Sequence, residues 1–351
     1  MKKTLIALGM LSIFSSASMA KPQLEIVAKL TTRPANPAVS ETGRVFFSQH
    51  PLDGPSIKVV ELLKNGDITP FPSAEFNREL GNVIGIKAVK ETLWLLDMGS
   101  DKISPQLVSW NIVSNQLQKK IPIPANVRRD NSFLQDMAID TQRQIAYIAD
   151  MTRGDLIGVS HPAIIAVDLV SGETRRLLDN HPTFAPGEPM SIDQQVVAHA
   201  GGDGKITPLQ LGLNPIAISP DDQWVYYGSV NGKELWRIAS ADLANNSLSA
   251  AALAAKPERY ASKANSDGII ADDQGNIYVT DVEQHGIGVA NSKGYHLLVQ
   301  DKELLNWADG LAMGPDGYIY ATVNQLHKHP ALNSGINNSQ PPYYLVKFQP
   351  N

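Results

Sequence analysis

Apolar and polar residues alternate along the chain with the short period of β-strands, and windows long enough for an amphipathic helix are rare. The apolar runs are short, rich in Val, Ile, Leu and aromatic residues, and separated by Gly, Pro, Asp and Asn. One pattern recurs: a polar residue, an apolar run, a Gly/Asp turn, then a strand carrying an aromatic. It is plain in "SDGIIADDQGNIYVTD" (266–281) and "ADGLAMGPDGYIYATV" (308–323), with further copies at 36–48, 84–97, 134–150 and 213–229. The aromatic keeps one phase in all six copies: Phe46, Trp94, Tyr147, Tyr226, Tyr278 and Tyr320. Each copy reads as a hairpin whose turn residues accept tight or left-handed geometry. A further strand pair follows, as in "PAIIAVDL" and "GETRRLL".

Four strands per unit, repeated at roughly 40–50 residues, predict an all-β fold: a six-bladed β-propeller with four-stranded antiparallel blades. One strand is left over at each end, "QLEIVAKL" and "YYLVKFQ". Pairing the N-terminal strand into the last blade closes the ring and leaves no long exposed edge. Two insertions, 179–211 and 325–342, are long enough to carry binding elements on a rigid scaffold.

The first strand of each blade lines the channel of a propeller, so the polar residue that opens it faces the axis. Read in phase, the six copies place Asn36, Gly85, Gln135 with Asp136, Asn214, Asp267 and Asp309 around one mouth. Asp and Asn oxygens converging in this way suit a hard cation such as calcium. They suit a cationic or polar organic ligand equally well, and Asp-Gly and Asn-Pro are also ordinary strand-start residues. Uncompensated carboxylates this close would raise one another's pKa. The expected ligand-binding residues are therefore Gln135, Asp136, Asn214, Asp267 and Asp309, and the expected metal ligands are Asp136, Asn214, Asp267 and Asp309. A second in-phase set, Asp97, Asp150 and Asp281, reads as strand-end caps. His327, on the second insertion, is a weak candidate for a general base, and His50 a weaker one. No helical zinc motif, nucleophile elbow, P-loop or dinucleotide fingerprint is present, and no organic cofactor is expected. "GGDGK" (201–205) is a lone Gly-rich loop.

Composition then narrows the setting. Residues 1–20, "MKKTLIALGMLSIFSSASMA", have the basic start, short apolar stretch and small-x-small end of a secretory signal peptide, leaving 21–351 as a single domain in the periplasm or outside the cell. No later segment is long enough to span a membrane. The chain has no cysteine, which removes disulfides, thiolate nucleophiles and Cys-ligated metal. Its net charge of −5 and the lack of a basic tract argue against nucleic acid as a partner. A monomer with a small-molecule ligand is expected.

The succession "GRVFFSQHP", "LWLLDMG", "SPQLVSWNI", "SFLQDMAID", "YIAD", "AIIAVDL" and "NPIAIS", continued by the two opening repeats, "ATVNQLH" and "PPYYLVKF", resembles the bacterial branch of the major royal jelly protein/Yellow family. The resemblance implies a secreted six-bladed propeller with a ligand pocket at the channel mouth. Relatives in insects include proteins of dopachrome conversion and proteins that bind biogenic amines. A broader likeness runs to propellers of the SMP-30/gluconolactonase type, whose Asn and Asp ligands to a catalytic calcium fall in segments matching Asn214, Asp267 and Asp309. That group also has a first-blade glutamate, where this chain reads Arg33-Pro34-Ala35-Asn36-Pro37. Three functions are compatible with these residues: binding of an aromatic or cationic small molecule, a calcium-dependent lactonase or esterase (or a dopachrome-conversion-like activity), and a protein-interaction platform.

Overall fold

The computed structural model describes residues 22–350; the expected signal peptide at 1–20 lies outside them. Six four-stranded antiparallel sheets make up the molecule. The innermost strands are Pro34–Val39, Val83–Val89, Leu134–Asp140, Leu213–Ile218, Ile269–Ala271 and Ala308–Met313, and they define blades 1 to 6. Each touches the next, and the sixth touches the first, so the ring is closed. Blade 6 takes its outermost strand from the N-terminus: Glu25–Leu30 pairs antiparallel with Tyr343–Phe348. The closure expected from the two leftover strands is thus observed.

The repeated aromatic explains why the blades stack. Its backbone register is the same in every blade: Phe46 opposite Ala38, Trp94 opposite Lys87, Tyr147 opposite Ala138, Tyr226 opposite Ala217, Tyr278 opposite Ile270 and Tyr320 opposite Ala312. The ring, facing alanine in four of the six blades, fills the wedge between neighbouring blades. Six apolar clusters result, one at each blade junction. Burying such rings is the main favourable term in a fold without disulfides.

A seventh cluster lies off the ring. The 179–211 insertion forms two short ribbons, Ser191–Ile192 with Gln195–Val196 and Ala198–Ala200 with Ile206–Pro208. Ala198 bridges Asn333 of the second insertion, and His199 Nδ1 donates to the Ala331 carbonyl at 2.8 Å. Met190, Ile192, Val197 and Leu209 pack there against Trp307, Leu326 and Leu332. The two insertions therefore form one lid. Asp193, at the tip of the first ribbon, fastens it to blade 5 through His285 Nε2 at 3.1 Å, and Lys302 adds an ion pair at 3.2 Å. The "GGDGK" loop is only the exposed turn of the second ribbon. No helix among the described residues is long and apolar enough to cross a membrane.

Candidate functional site: the lidded mouth of the channel

The inner strands carry the site because they are irregular at their first residues. In blades 1, 2, 3, 4 and 6 the register with the second strand slips there. A bulge of this kind bends the strand and re-aims its side chains. Counting back from the paired aromatic sorts the predicted residues into two layers. Gln135, Asn214, Asp267 and Asp309 share the upper layer, next to the lid. Asn36, Gly85 and Asp136 lie one residue deeper, level with Gly268 and Gly310. The strands approach so closely here that a β-carbon at Gly268 would overlap the Asp309 carbonyl, and one at Gly310 would overlap the Asn36 side chain.

All five predicted ligand-binding residues are buried, and the structure brings them together. Asn214 Nδ2 donates to Asp267 Oδ1 at 2.8 Å, and Trp307 Nε1 donates to Asp267 Oδ2 at 2.8 Å. Asn324 Nδ2 donates to Asp309 Oδ2. Lys87 Nζ donates to Asp136 Oδ2 at 2.9 Å. Three acceptor oxygens are left buried without a partner: Gln135 Oε1, Asp136 Oδ1 and Asn214 Oδ1. Such atoms cost on the order of 1–3 kcal/mol each unless something donates to them.

Above this floor is a cavity of about 90 Å³, lined by Gln135, Asn214 and Asp267 below, by His50, Phe133 and Trp307 at the sides, and by Leu326 and Leu332 of the lid. His50 Nδ1 accepts the Leu52 backbone N–H at 3.2 Å. Burial, reinforced by the Arg33 charge, pushes its imidazole down to about 3. The ring is neutral, and its proton sits on Nε2, which makes that nitrogen a donor. His327 lies outside the cavity lining, stacked on Trp307 with ring centroids 5.8 Å apart. Burial pushes it down to about 3, leaving it a weak base at neutral pH.

The carboxyls are frustrated. Burial and the nearby Asp136 charge lift Asp267 from 3.8 to about 6, against the pull of its two N–H donors. Burial and the Asp267 charge push Asp309 well above its ordinary value. Burial raises Asp136 despite Lys87. The rise at Asp267 alone corresponds to roughly 3 kcal/mol between protonation states. The folded protein therefore holds protons that the unfolded chain has released. The stability tied to those protons is present below about pH 4 and lost as pH rises through 6. Asp309→Asn keeps the shape and removes one charge. It is expected to raise Tm at pH 7.5 by at least about 2–4 °C, with little change at pH 4, as read by calorimetry at both pH values. An unchanged or lower Tm at pH 7.5 would contradict the electrostatic account.

Two positive charges already answer the acids. Besides Lys87, Arg33 is buried just before the inner strand of blade 1. It donates to Asp53 Oδ2 at 3.1 Å, to Ser339 Oγ at 3.0 Å and to the Asn324 carbonyl, and Asn324 holds Asp309. Its charge pulls the Asp309 carboxyl down, against burial. Asp136, Asp267 and Asp309 each spend oxygens on internal N–H donors, and no three acidic or imidazole groups among the described residues are placed to hold a metal. The second aspartate set caps strand ends. Asp97 accepts the Gly81 and Gly99 N–H groups, Asp150 accepts Phe133 N–H and Arg176, and Asp281 accepts Gln284 N–H and Tyr295 OH.

Known structures share this architecture at low sequence identity. A gluconolactonase from Xanthomonas campestris superposes with a TM-score of 0.58 at 13% identity, over 93% of this chain and 89% of that one. A luciferin-regenerating enzyme gives 0.58 at 14% identity, over 94% and 95%. Virginiamycin B lyase from Staphylococcus aureus gives 0.52 at 14%, over 94% and 100%. At such identities the likeness establishes the propeller fold alone. No curated protein matches the chain in sequence. The family described as "Major royal jelly protein" matches residues 88–344, from the inner strand of blade 2 to the third strand of blade 6. More than half of the sequence, including Asp136, Asn214, Asp267 and Asp309, lies within that match, and the chain belongs to the major royal jelly protein family.

Proposed function

We propose that this chain is an exported binding protein that holds a small molecule bearing a cationic or hydrogen-donating group, with an aromatic body, under the lid of its channel. One observation carries the reading. The unpartnered polar atoms on the cavity floor, Gln135 Oε1 and Asn214 Oδ1, are both acceptors, and they sit beside the Asp267 carboxyl that burial has destabilised; Asp136 Oδ1, one layer deeper, is unpartnered too. The complementary ligand is a donor carrying positive charge. Phe133 and Trp307 supply aromatic wall for its body, and His50 offers one donor to a hydroxyl or carbonyl on it.

A second reading, a calcium-dependent hydrolase, is favoured by one fact: a carboxyl lifted to about 6 is poised to move protons near neutral pH. It would need Asn214, Asp267, Asp309 and Asp136 to exchange internal hydrogen bonds for a metal. Thermal melting separates the two. An aromatic amine such as dopamine or serotonin, at about a hundred times its Kd, should stabilise by about 2.7 kcal/mol, roughly 4 °C for a chain of this length. EDTA should leave Tm unchanged. The same carbon skeleton without the amine should give no shift. A loss of Tm in EDTA that calcium restores, with no response to amines, would replace the first reading by the second.

A further inference from the structure

The opposite end of the channel is a separate cavity of about 260 Å³, walled by the inner strands of all six blades. Its side chains are apolar, among them Met137, Ile218, Ile270, Leu311 and Met313, with one exception. Lys87 is the sole charged side chain lining it. The repeat makes this exception conspicuous. At the position opposite the blade aromatic, four blades have Ala (38, 138, 217 and 312), blade 5 has Ile270, and blade 2 has Lys87. The buried Asp136 carboxylate of the next blade accounts for one hydrogen bond of that ammonium.

Lys87 is partly accessible, with 24% of its side chain exposed, whereas its partner Asp136 is buried. Among the described residues its ammonium makes one hydrogen bond, to Asp136 Oδ2. An ammonium has three N–H donors, so two remain for a group arriving from the funnel. Asp136 follows Gln135, which lines the lidded cavity. The Lys87–Asp136 pair therefore lies between the two cavities, with Gln135 lining the lidded one and Lys87 the open funnel.

We propose that the open funnel is a second binding site, for a small carboxylate with an apolar tail, whose head group is held by Lys87. The wall buries the tail, at about 0.8 kcal/mol per methylene. The head accepts from the two spare N–H groups, a charge-assisted contact. An alcohol of the same length would keep the tail and lose the charge. An alkylammonium would meet a like charge and have no acceptor to bind.

The test uses the methyl signals of Met137 and Met313, which line the funnel, in an NMR titration of the whole protein with octanoate, octanol and octylammonium. Octanoate should shift both signals saturably, octanol should bind at least tenfold more weakly, and octylammonium weaker still. Lys87→Met should remove the preference for octanoate. Since that change leaves Asp136 buried without a partner, the double variant Lys87→Met with Asp136→Asn provides the same test with a neutral pair. Met313→Trp, which narrows the funnel and keeps Lys87, should weaken octanoate by at least tenfold. Equal binding of octanoate and octanol, undiminished octanoate binding in the double variant, or no saturable shift would each overturn the proposal.

Discussion

Truncating Trp307 to alanine is expected to destabilise the protein by about 3–5 kcal/mol and to abolish ligand stabilisation at the lidded mouth. The indole is fully buried, stacks on His327, and packs against lid residues from both insertions. It also donates to Asp267, one of two side-chain donors among the described residues that hold that carboxyl toward its charged form. Removing it opens a cavity and lets the Asp267 carboxyl rise further. Urea unfolding measures the first effect as a shift in midpoint at constant slope. Trp307→Phe separates the second, since it keeps most of the ring and loses only the N–H. The phenylalanine variant should cost less than the alanine variant, yet lower amine affinity and shift its pH dependence upward. Wild-type binding in Trp307→Phe would mean that Trp307 acts by packing alone.

Deleting the N-terminal strand should have the other large effect. A chain starting at Thr31 leaves Tyr343–Phe348 as an unpaired edge, because Glu25–Leu30 is its outer partner. Leu30 is fully buried, and its burial alone is worth about 2 kcal/mol. The exposed edge, "YYLVKF", is aromatic and β-branched, which invites pairing with a second copy. The expected result is a Tm lower by more than about 10 °C, together with dimers or larger species in size-exclusion chromatography. A monomer of unchanged Tm would show that the ring closes without the strand.

Both expectations bear on what could be read in advance. The phase of Phe46, Trp94, Tyr147, Tyr226, Tyr278 and Tyr320 was legible because each lies in a hairpin only a few residues from its partner. The convergence of Asp267 and Asp309 was legible for the same reason, since equivalent residues of a repeat meet on its axis. Their layering was not. A bulge moves a side chain by one position, which places Asp136 one step below Gln135 and brings it to Lys87. Lys87 itself left a visible signal, a lysine in "IGIKAVK" where four other copies have alanine. Trp307 and Arg33 gave less: nothing local tells a tryptophan before "ADG", or an arginine before a proline, that its partner is Asp267 or Asn324. His327, a weak candidate for a base on its sequence, stacks on Trp307 and is not in the cavity lining.

The sequence by itself determined the architecture: strand period, turn chemistry, six in-phase aromatics and two terminal strands that need each other. These are short-range signals repeated until they leave one arrangement. Tertiary structure alone decided the chemistry of the two channel mouths. The lid forms because Ala198 meets Asn333 and Asp193 meets His285, contacts between residues roughly 90 to 135 apart in the chain that no local propensity encodes. The acid ring is frustrated because burial removes water from carboxyls that the chain order keeps well apart, and that cost exists only once the ring has closed.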